Sequence, residues 1–246
     1  MDSQLIEELS LNSWQPLSTL LYDGWVIRLA NGYTKRANSI SPIYYSTYDL
    51  NAKIEQCEQI YLNQGLLPAF KITPFVKPEN LDEHLNERDY SRVDLTSVQT
   101  AELKKVKEPV LHSIKLDETV NTEWVNHFCR LNHVEEKYKD TIVKMLSNIA
   151  TKKCLISLYY KEEVVACGLG VIEREHIGLY DIVTDSKFRR QGFAEQLILN
   201  LLKWGKEKGA KYSYLAVLLN NNPALKLYAK IGFTERYRYW YRVKNA

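Results

Sequence analysis

The segment Asp181-Ile182-Val183-Thr184-Asp185-Ser186-Lys187-Phe188-Arg189-Arg190-Gln191-Gly192-Phe193-Ala194 constrains this chain more than any other. It reads as the end of a buried strand, a polar basic turn, and the first turn of a helix holding Gly192 and Ala194. Small residues at a helix start let an anion approach the backbone closely. Unsatisfied N–H groups and the positive end of the helix dipole then hold it there. Arg189 and Arg190 add charge. Taken alone the segment is ambiguous, because an Arg-Arg pair on a surface is usually solvated.

A second stretch runs from Asn220 to Phe233. Asn222 has the chemistry of an N-cap and Pro223 suits the first helical position, so a short helix with a defined start is expected. Tyr228 lies on it one turn beyond Leu225. By itself it reads as a tyrosine packed in a core.

Around these stretches the residue pattern sets out an order of elements. Residues 25–29 and 34–40 read as strands around an Asn31-Gly32 turn, a strong hairpin signal. Asp49 caps a helix from Leu50 to Gln64 with Leu50, Ile54, Cys57 and Tyr61 on one face, and Gly65 suits its stop. A strand over 69–73, a helix over 79–88 and a strand over 93–98 follow. From Gln99 to Pro109 the chain turns polar and lysine-rich, which places a boundary between residues 1–105 and 106–246. Beyond it come a strand near Val110, helices over 122–132 and 135–150, and strands over 154–160, 164–173 and 178–184. A helix from Gly192 to Lys208, a strand over 212–218, a helix over 223–230 and a strand over 235–243 complete the chain. Both halves end in the same order: strand, loop, long helix, strand, short helix, aromatic break, strand. The breaks are Asp89-Tyr90 and Gly232-Phe233, and the shared order suggests an internal duplication.

Composition removes several classes. No apolar run approaches the ~18 residues of a membrane span. The acidic, polar start Met1-Asp2-Ser3-Gln4 is unlike a secretory signal, so a cytoplasmic protein without a membrane partner is expected. A net charge of +3 is too small to argue for nucleic acid. Tyr237, Tyr239 and Tyr241 are interleaved with Arg236, Arg238 and Arg242, which puts aromatic and cationic side chains on opposite strand faces, unlike a base-stacking platform. Cys57, Cys129, Cys154 and Cys167 lie far apart and read as buried thiols, with no metal expected.

Together the two stretches resemble the Gcn5-related N-acetyltransferase (GNAT) family. Arg189-x-x-Gly192-x-Ala194 matches its pyrophosphate motif, and Asn221-x6-Tyr228-x3-Gly232-Phe233 its second motif. Their order and separation are preserved over roughly residues 110 to 243. Gly24-Trp25, Gly32-Tyr33-Thr34 and Arg36-Ala37-Asn38-Ser39 also resemble a two-part bacterial subgroup, in which a degenerate half precedes the active one. The first half has only Ser41 to Tyr48 before its long helix, with no Arg-x-x-Gly loop, and is not expected to bind CoA.

The resemblance implies an α/β protein with the GNAT acyl-CoA N-acyltransferase fold, a mixed, mostly antiparallel twisted sheet with flanking helices. It implies acetyl-CoA as cosubstrate and direct acetyl transfer to an amine. Backbone groups of Ile182, Val183 and Thr184 would hold the pantetheine arm, and one of their N–H groups would polarise the thioester carbonyl. Arg189 and the amides of Arg190, Gln191, Gly192, Phe193, Ala194 and Glu195 would hold the pyrophosphate. Asn221 would contact the cofactor and Tyr228 would sit near its sulfur. With an ordinary pKa near ~10, Tyr228 stays protonated at neutral pH and can donate to a thiolate whose pKa is near ~8.5.

The general base is open. Many family members carry a glutamate on the strand before the Asn/Tyr helix, where this chain has Ala216 and Val217. Asp181, Glu173 and Glu175 are the nearby carboxylates, and a water chain could do the same work. The missing glutamate also leaves open a CoA-sensing module without catalysis. The acceptor, a small-molecule or peptide amine, and the choice between monomer and homodimer are open as well.

Overall fold

The computed structural model describes residues 2–244; Met1 and the last two positions of the 106–246 span lie outside the described residues. Helix α1 (Ser3–Ser13) leads into a hairpin of β1 (Ser18–Tyr22) and β2 (Trp25–Leu29), turning at Asp23-Gly24. Gly24 has φ +81, and a Cβ there would lie 2.1 Å from the Tyr45 carbonyl oxygen, so only glycine fits. The hairpin signal at Asn31-Gly32 was misplaced. Residues 30–39 form a loop between β2 and β3 (Ile40–Pro42), which pair antiparallel. The reason is Asn38, whose Oδ1 accepts from the Ala30 and Gly32 N–H groups at 2.7 and 3.1 Å. Its Nδ2 donates to the Ala30 and Thr34 carbonyls. These bonds satisfy backbone groups that would otherwise need a ladder.

Helix α2 (Leu50–Leu62) starts as expected, with the Asp49 carboxylate accepting from the Ala52 N–H and Ile54, Cys57 and Tyr61 buried. Then come β4 (Ala69–Ile72), α3 (Leu81–Glu87) and β5 (Tyr90–Glu102). Strand β5 is longer than the expected 93–98 because strands pair along both its edges, and Gln99–Glu102 belong to it. A 3-10 turn at Leu103–Lys105 precedes β6 (Ile114–Asp117), which starts later than the strand expected near Val110. Val110 and Leu111 instead donate their N–H groups to Gln196 Oε1 at 2.8 and 3.0 Å, pinning that loop to a later helix.

The remaining elements fall close to expectation: α4 (Thr122–Leu131), α5 (Lys139–Asn148), β7 (Lys152–Tyr160), β8 (Glu163–Glu173) and β9 (His176–Thr184). Helix α6 (Phe193–Glu207), β10 (Tyr212–Leu218), α7 (Asn222–Ile231) and β11 (Thr234–Lys244) follow. On β11, Tyr237, Tyr239 and Tyr241 are buried, and Arg236 and Arg238 are exposed. Arg242 is covered by α3, donating to Asp82 and Asn86. No helix among the described residues is long and apolar enough to cross a membrane.

All the strands join one sheet, in the order β1-β2-β3-β4-β11-β5-β10-β9-β8-β7-β6. Neighbours are antiparallel except β3/β4 and β9/β10. The repeated tail order appears as β3-α2-β4-α3-β5 and β9-α6-β10-α7-β11, and left-handed residues, Asp89 (φ +62) and Gly232 (φ +108), stand at matching breaks. Strand β11 lies between β4 and β5, while β5 lies between β10 and β11. Each half therefore completes its sheet with the last strand of the other. One apolar cluster crosses the junction, joining Ile6, Leu9 and Trp14 to Phe128, Tyr180 and Tyr239.

Candidate functional site

Strands β9 and β10 pair only from His176/Tyr212 to Leu179/Leu215 and then part. The cause is a bulge in β9. Asp181 takes φ +51, and the β8 register shifts between Cys167↔Val183 and Leu169↔Tyr180, so Asp181 and Ile182 together oppose Gly168. A Cβ on Gly168 would sit 2.7 Å from Ile182 Cδ1 and 2.9 Å from Leu197 Cδ2, so the glycine makes room for the bulge. Beyond the parting, Ala216–Leu218 pair with β5 on their other side. The facing edges of both strands border a cavity of ≈ 660 Å³.

Distant parts of the chain meet in the cavity wall. Asp181, Ile182 and Val183 come from β9; Ala216, Val217, Asn221 and Tyr228 come from β10 and α7; Tyr33 and Arg36 come from the 30–39 loop of the first half. Thr184 and the segment Arg189–Glu195 lie outside this wall.

That segment forms a turn ahead of α6. Asp185 caps a 3-10 turn over Ser186–Phe188, accepting from the Lys187 N–H at 2.9 Å, and its other oxygen pairs with Arg130 at 3.3 Å. Arg190 (φ +61) and Gly192 (φ +85) are left-handed. Arg189, Arg190, Gln191 and Gly192 are exposed. The Gly192 carbonyl accepts from the Gln196 N–H at 3.1 Å. The N–H groups of Phe193, Ala194 and Glu195 therefore precede the first intrahelical donor and point out of the helix end. The Glu195 side chain turns to Lys107 and Lys230, which leaves only its amide for an anion.

The corresponding loop of the first half is already filled. Ahead of α2, the Thr47 and Tyr48 N–H groups donate to the Asp23 carboxylate at 2.9 to 3.0 Å, and Lys53 pairs with it at 3.1 Å. The Tyr48 amide is the leading cause holding this carboxyl well below the usual range. The first half thus places its own anion on its loop amides.

Asn221, one residue before the expected Asn222, is the N-cap of α7 and accepts from the Ala224 N–H at 3.3 Å. Tyr228 is 9% exposed, its ring edge-on to Phe233 at 5.9 Å between centroids. Burial pushes its phenol up to about 12, with Arg36 acting against the shift. The Asp181 side chain is 6% exposed, with Oδ1 3.6 Å from Arg36 Nη2. Burial raises its carboxyl to about 6 despite that guanidinium. Its Oδ2 is buried with no hydrogen-bond partner among the described residues, an arrangement that is costly unless a donor arrives.

The other two carboxylates stand elsewhere. Glu173 accepts from Asn12 Nδ2, and Glu175 pairs with Lys211 at 2.5 Å; neither lines the cavity. Ala216 and Val217 line it without an ionisable group. The sequence reading gave no role to Tyr33, Phe128, Tyr239 or Tyr241, all in the wall. Gly32-Tyr33-Thr34 and Arg36 stood out as a motif, but nothing in the sequence shows what they face.

Residues 4–242 match the family described as "Probable histone acetyltransferase Rv0428c C-terminal". A Bacillus subtilis (strain 168) protein described as "Uncharacterized N-acetyltransferase YobR" is 26% identical over 251 residues, covering 99% of each chain. A solved GCN5-related N-acetyltransferase from Kribbella flavida superposes with a TM-score of 0.75 at 12% identity, covering 99% of this chain and 96% of that one. A tandem GNAT protein from the clavulanic acid biosynthesis pathway gives 0.59 at 11% identity, covering 80% and 70%. These structural likenesses concern the fold, a mixed sheet with flanking helices as the two motifs implied.

Proposed function

The chain is a Gcn5-related N-acetyltransferase, a member of the family whose model spans residues 4–242, and from that premise we propose that it moves the acetyl group of acetyl-CoA directly onto an amine, with Asp181 as base and Tyr228 as acid. The observation that carries this reading is the meeting of a buried, half-unpaired carboxylate and a buried phenol in one cavity beside the open edge of β9.

The residues present fit the cosubstrate. Backbone at Ile182, Val183 and Thr184, past the end of the pairing with β10, holds the pantetheine arm, and a preorganised N–H group there stabilises the oxyanion as it develops. Arg189 and the amides of Arg190 to Glu195 take the pyrophosphate at the helix end. Asn221, on the opposite side of the cleft, steadies the arm. Asp181, with a carboxyl near about 6, is ionised at neutral pH and accepts the proton lost by the attacking amine. Tyr228 gives a proton to the departing thiolate. Residues 106–246 bind acetyl-CoA, and residues 1–105 supply part of the acceptor wall through Tyr33 and Arg36. The acceptor is an amine on a small molecule or a peptide.

Thiol release from acetyl-CoA is to be measured with a panel of amines, for the wild type and Asp181→Asn. Amine-dependent release, cut at least ~100-fold in the variant with acetyl-CoA affinity retained, is the expected result. Acetyl-CoA binding with no amine-dependent release would make this chain a CoA-binding module instead.

A further inference from the structure

We infer that Arg36, contributed by the first half, is a positioning residue for Asp181: its guanidinium, beside Oδ1, holds the carboxylate charged and in place at the cavity wall. This rests on the reading of Asp181 as the base.

The placement of Arg36 is unusually well determined for a loop residue. Its Nη2 lies 3.6 Å from Asp181 Oδ1. Its guanidinium sits over the Trp14 indole, 5.4 Å from the ring centre, within cation–π range. Trp14 in turn stacks on Tyr180, the residue before Asp181, at 5.7 Å and 9° between planes. The Arg36 carbonyl accepts from Arg28 Nη1. Arg28 also donates to the Leu11 and Trp14 carbonyls, and its own carbonyl accepts from Tyr61 at 2.7 Å. Asn38 closes the same loop. Elements α1, β2 and α2 thus fix the backbone of the 30–39 loop at Arg36 and the ring beneath its guanidinium.

Asp181 needs such a partner. It sits at φ +51, a conformation that a non-glycine residue keeps only where its surroundings over-determine it. The ionisable groups that act on it or share its cavity wall, besides Arg36, are Tyr33 and Lys35 on the same loop, Asp94 on β5, Cys129 on α4, Tyr180 beside it, Tyr228 on α7, and Tyr239 and Tyr241 on β11; Lys35 and Asp94 pair with each other at 2.9 Å. Burial raises the phenols of Tyr33 and Tyr228 and the thiol of Cys129, so all three stay neutral at physiological pH. Arg36 is the charge that opposes desolvation of the carboxylate. It lies beside Oδ1 and keeps the carboxylate charged, and the carboxylate takes the amine proton as the N–C bond forms. The C–S bond breaks with its electron pair on sulfur, and Tyr228 protonates that sulfur. Both side chains then exchange protons with solvent.

The test is the pH dependence of kcat, with one saturating amine, in full-length wild type, Arg36→Gln, Arg36→Met, Arg36→Lys and Asp181→Asn. Loss of a neighbouring opposite charge moves a carboxyl up by ~1–3 pH units. The acid limb in Arg36→Gln and Arg36→Met is therefore expected to rise by about 1 unit, with a ~5–10-fold loss near pH 6 that disappears above pH 8. Arg36→Lys keeps the charge and is expected to restore most of the limb. Because the Arg36 side chain is 34% exposed, the two neutral variants are expected to fold, and each checks the other. Equal losses at every pH, or a limb that does not move while Asp181→Asn is inactive, overturn the positioning role alone. Wild-type turnover in Asp181→Asn removes the base reading beneath it.

Discussion

Replacing Tyr228 with phenylalanine removes one hydroxyl and keeps the ring, so its edge-on contact with Phe233 at 5.9 Å survives. The effect on stability is expected to stay below about 1 kcal/mol. The effect on turnover depends on proton matching. Against a thiolate in water, with a pKa near ~8.5, a phenol at about 12 is too weak an acid, and transfer would run uphill by roughly 5 kcal/mol. The cleft is not water. This protein's own buried thiols, Cys57, Cys154 and Cys167, are all pushed up by burial to about 12. A thiolate released in similarly dry surroundings is matched to Tyr228, and a matched general acid contributes ~10²–10⁴ in rate. Tyr228→Phe is thus expected to lower kcat by about 100-fold or more, roughly 3 kcal/mol, leaving acetyl-CoA affinity within about twofold. Thiol release gives kcat and calorimetry gives the affinity. Wild-type kcat, or a loss confined to binding, would refute the reasoning.

Two further outcomes follow from the fold. If residues 1–107 and 108–246 are produced separately, β11 loses both neighbours and β5 loses β10 and β11, so neither piece is expected to unfold cooperatively in thermal melts. Mixing or co-expressing the pieces is expected to restore a single transition; a stable, acetyl-CoA-binding 108–246 fragment would contradict the strand exchange. At the filled loop, the folded-state carboxyl of Asp23 is depressed, chiefly by the Tyr48 amide. Its stabilising contribution is therefore present above the unfolded value near ~3.9 and lost as pH falls towards the folded one. Asp23→Asn is expected to lower Tm at pH 7 and to show a smaller gap to the wild type at pH 3; an equal gap at both pH values would exclude the carboxylate as the cause.

Much of the chain was legible where its signals are local. Asp49 before α2, Gly209 after α6 and Pro223 at the start of α7 act on backbone within a turn of themselves, and those elements stand within a few residues of expectation. The Asn31-Gly32 signal failed because Asn38, several residues away, satisfied the loop backbone with its own amide. The long β5 was cut short for a similar reason. Gln99–Glu102 read as linker from composition, yet pairing with β10 makes them strand.

By itself the amino-acid sequence determined most of the order of elements after residue 24, the glycine at the start of α6, the capped helix bearing Tyr228, and the family that these motifs signal. Tertiary structure alone decided which half supplies which strand, because register between distant strands depends on contacts with no local trace. It also decided that Arg36 faces Asp181 across the junction, and that Asp23 occupies the first half's loop. Burial explains why Asp181 stands apart from Glu173 and Glu175. All three are acidic residues near one strand; Asp181 is withdrawn from water at the bulge and lines the cavity, which pushes its carboxyl up to about 6, while Glu173 and Glu175 lie outside the wall.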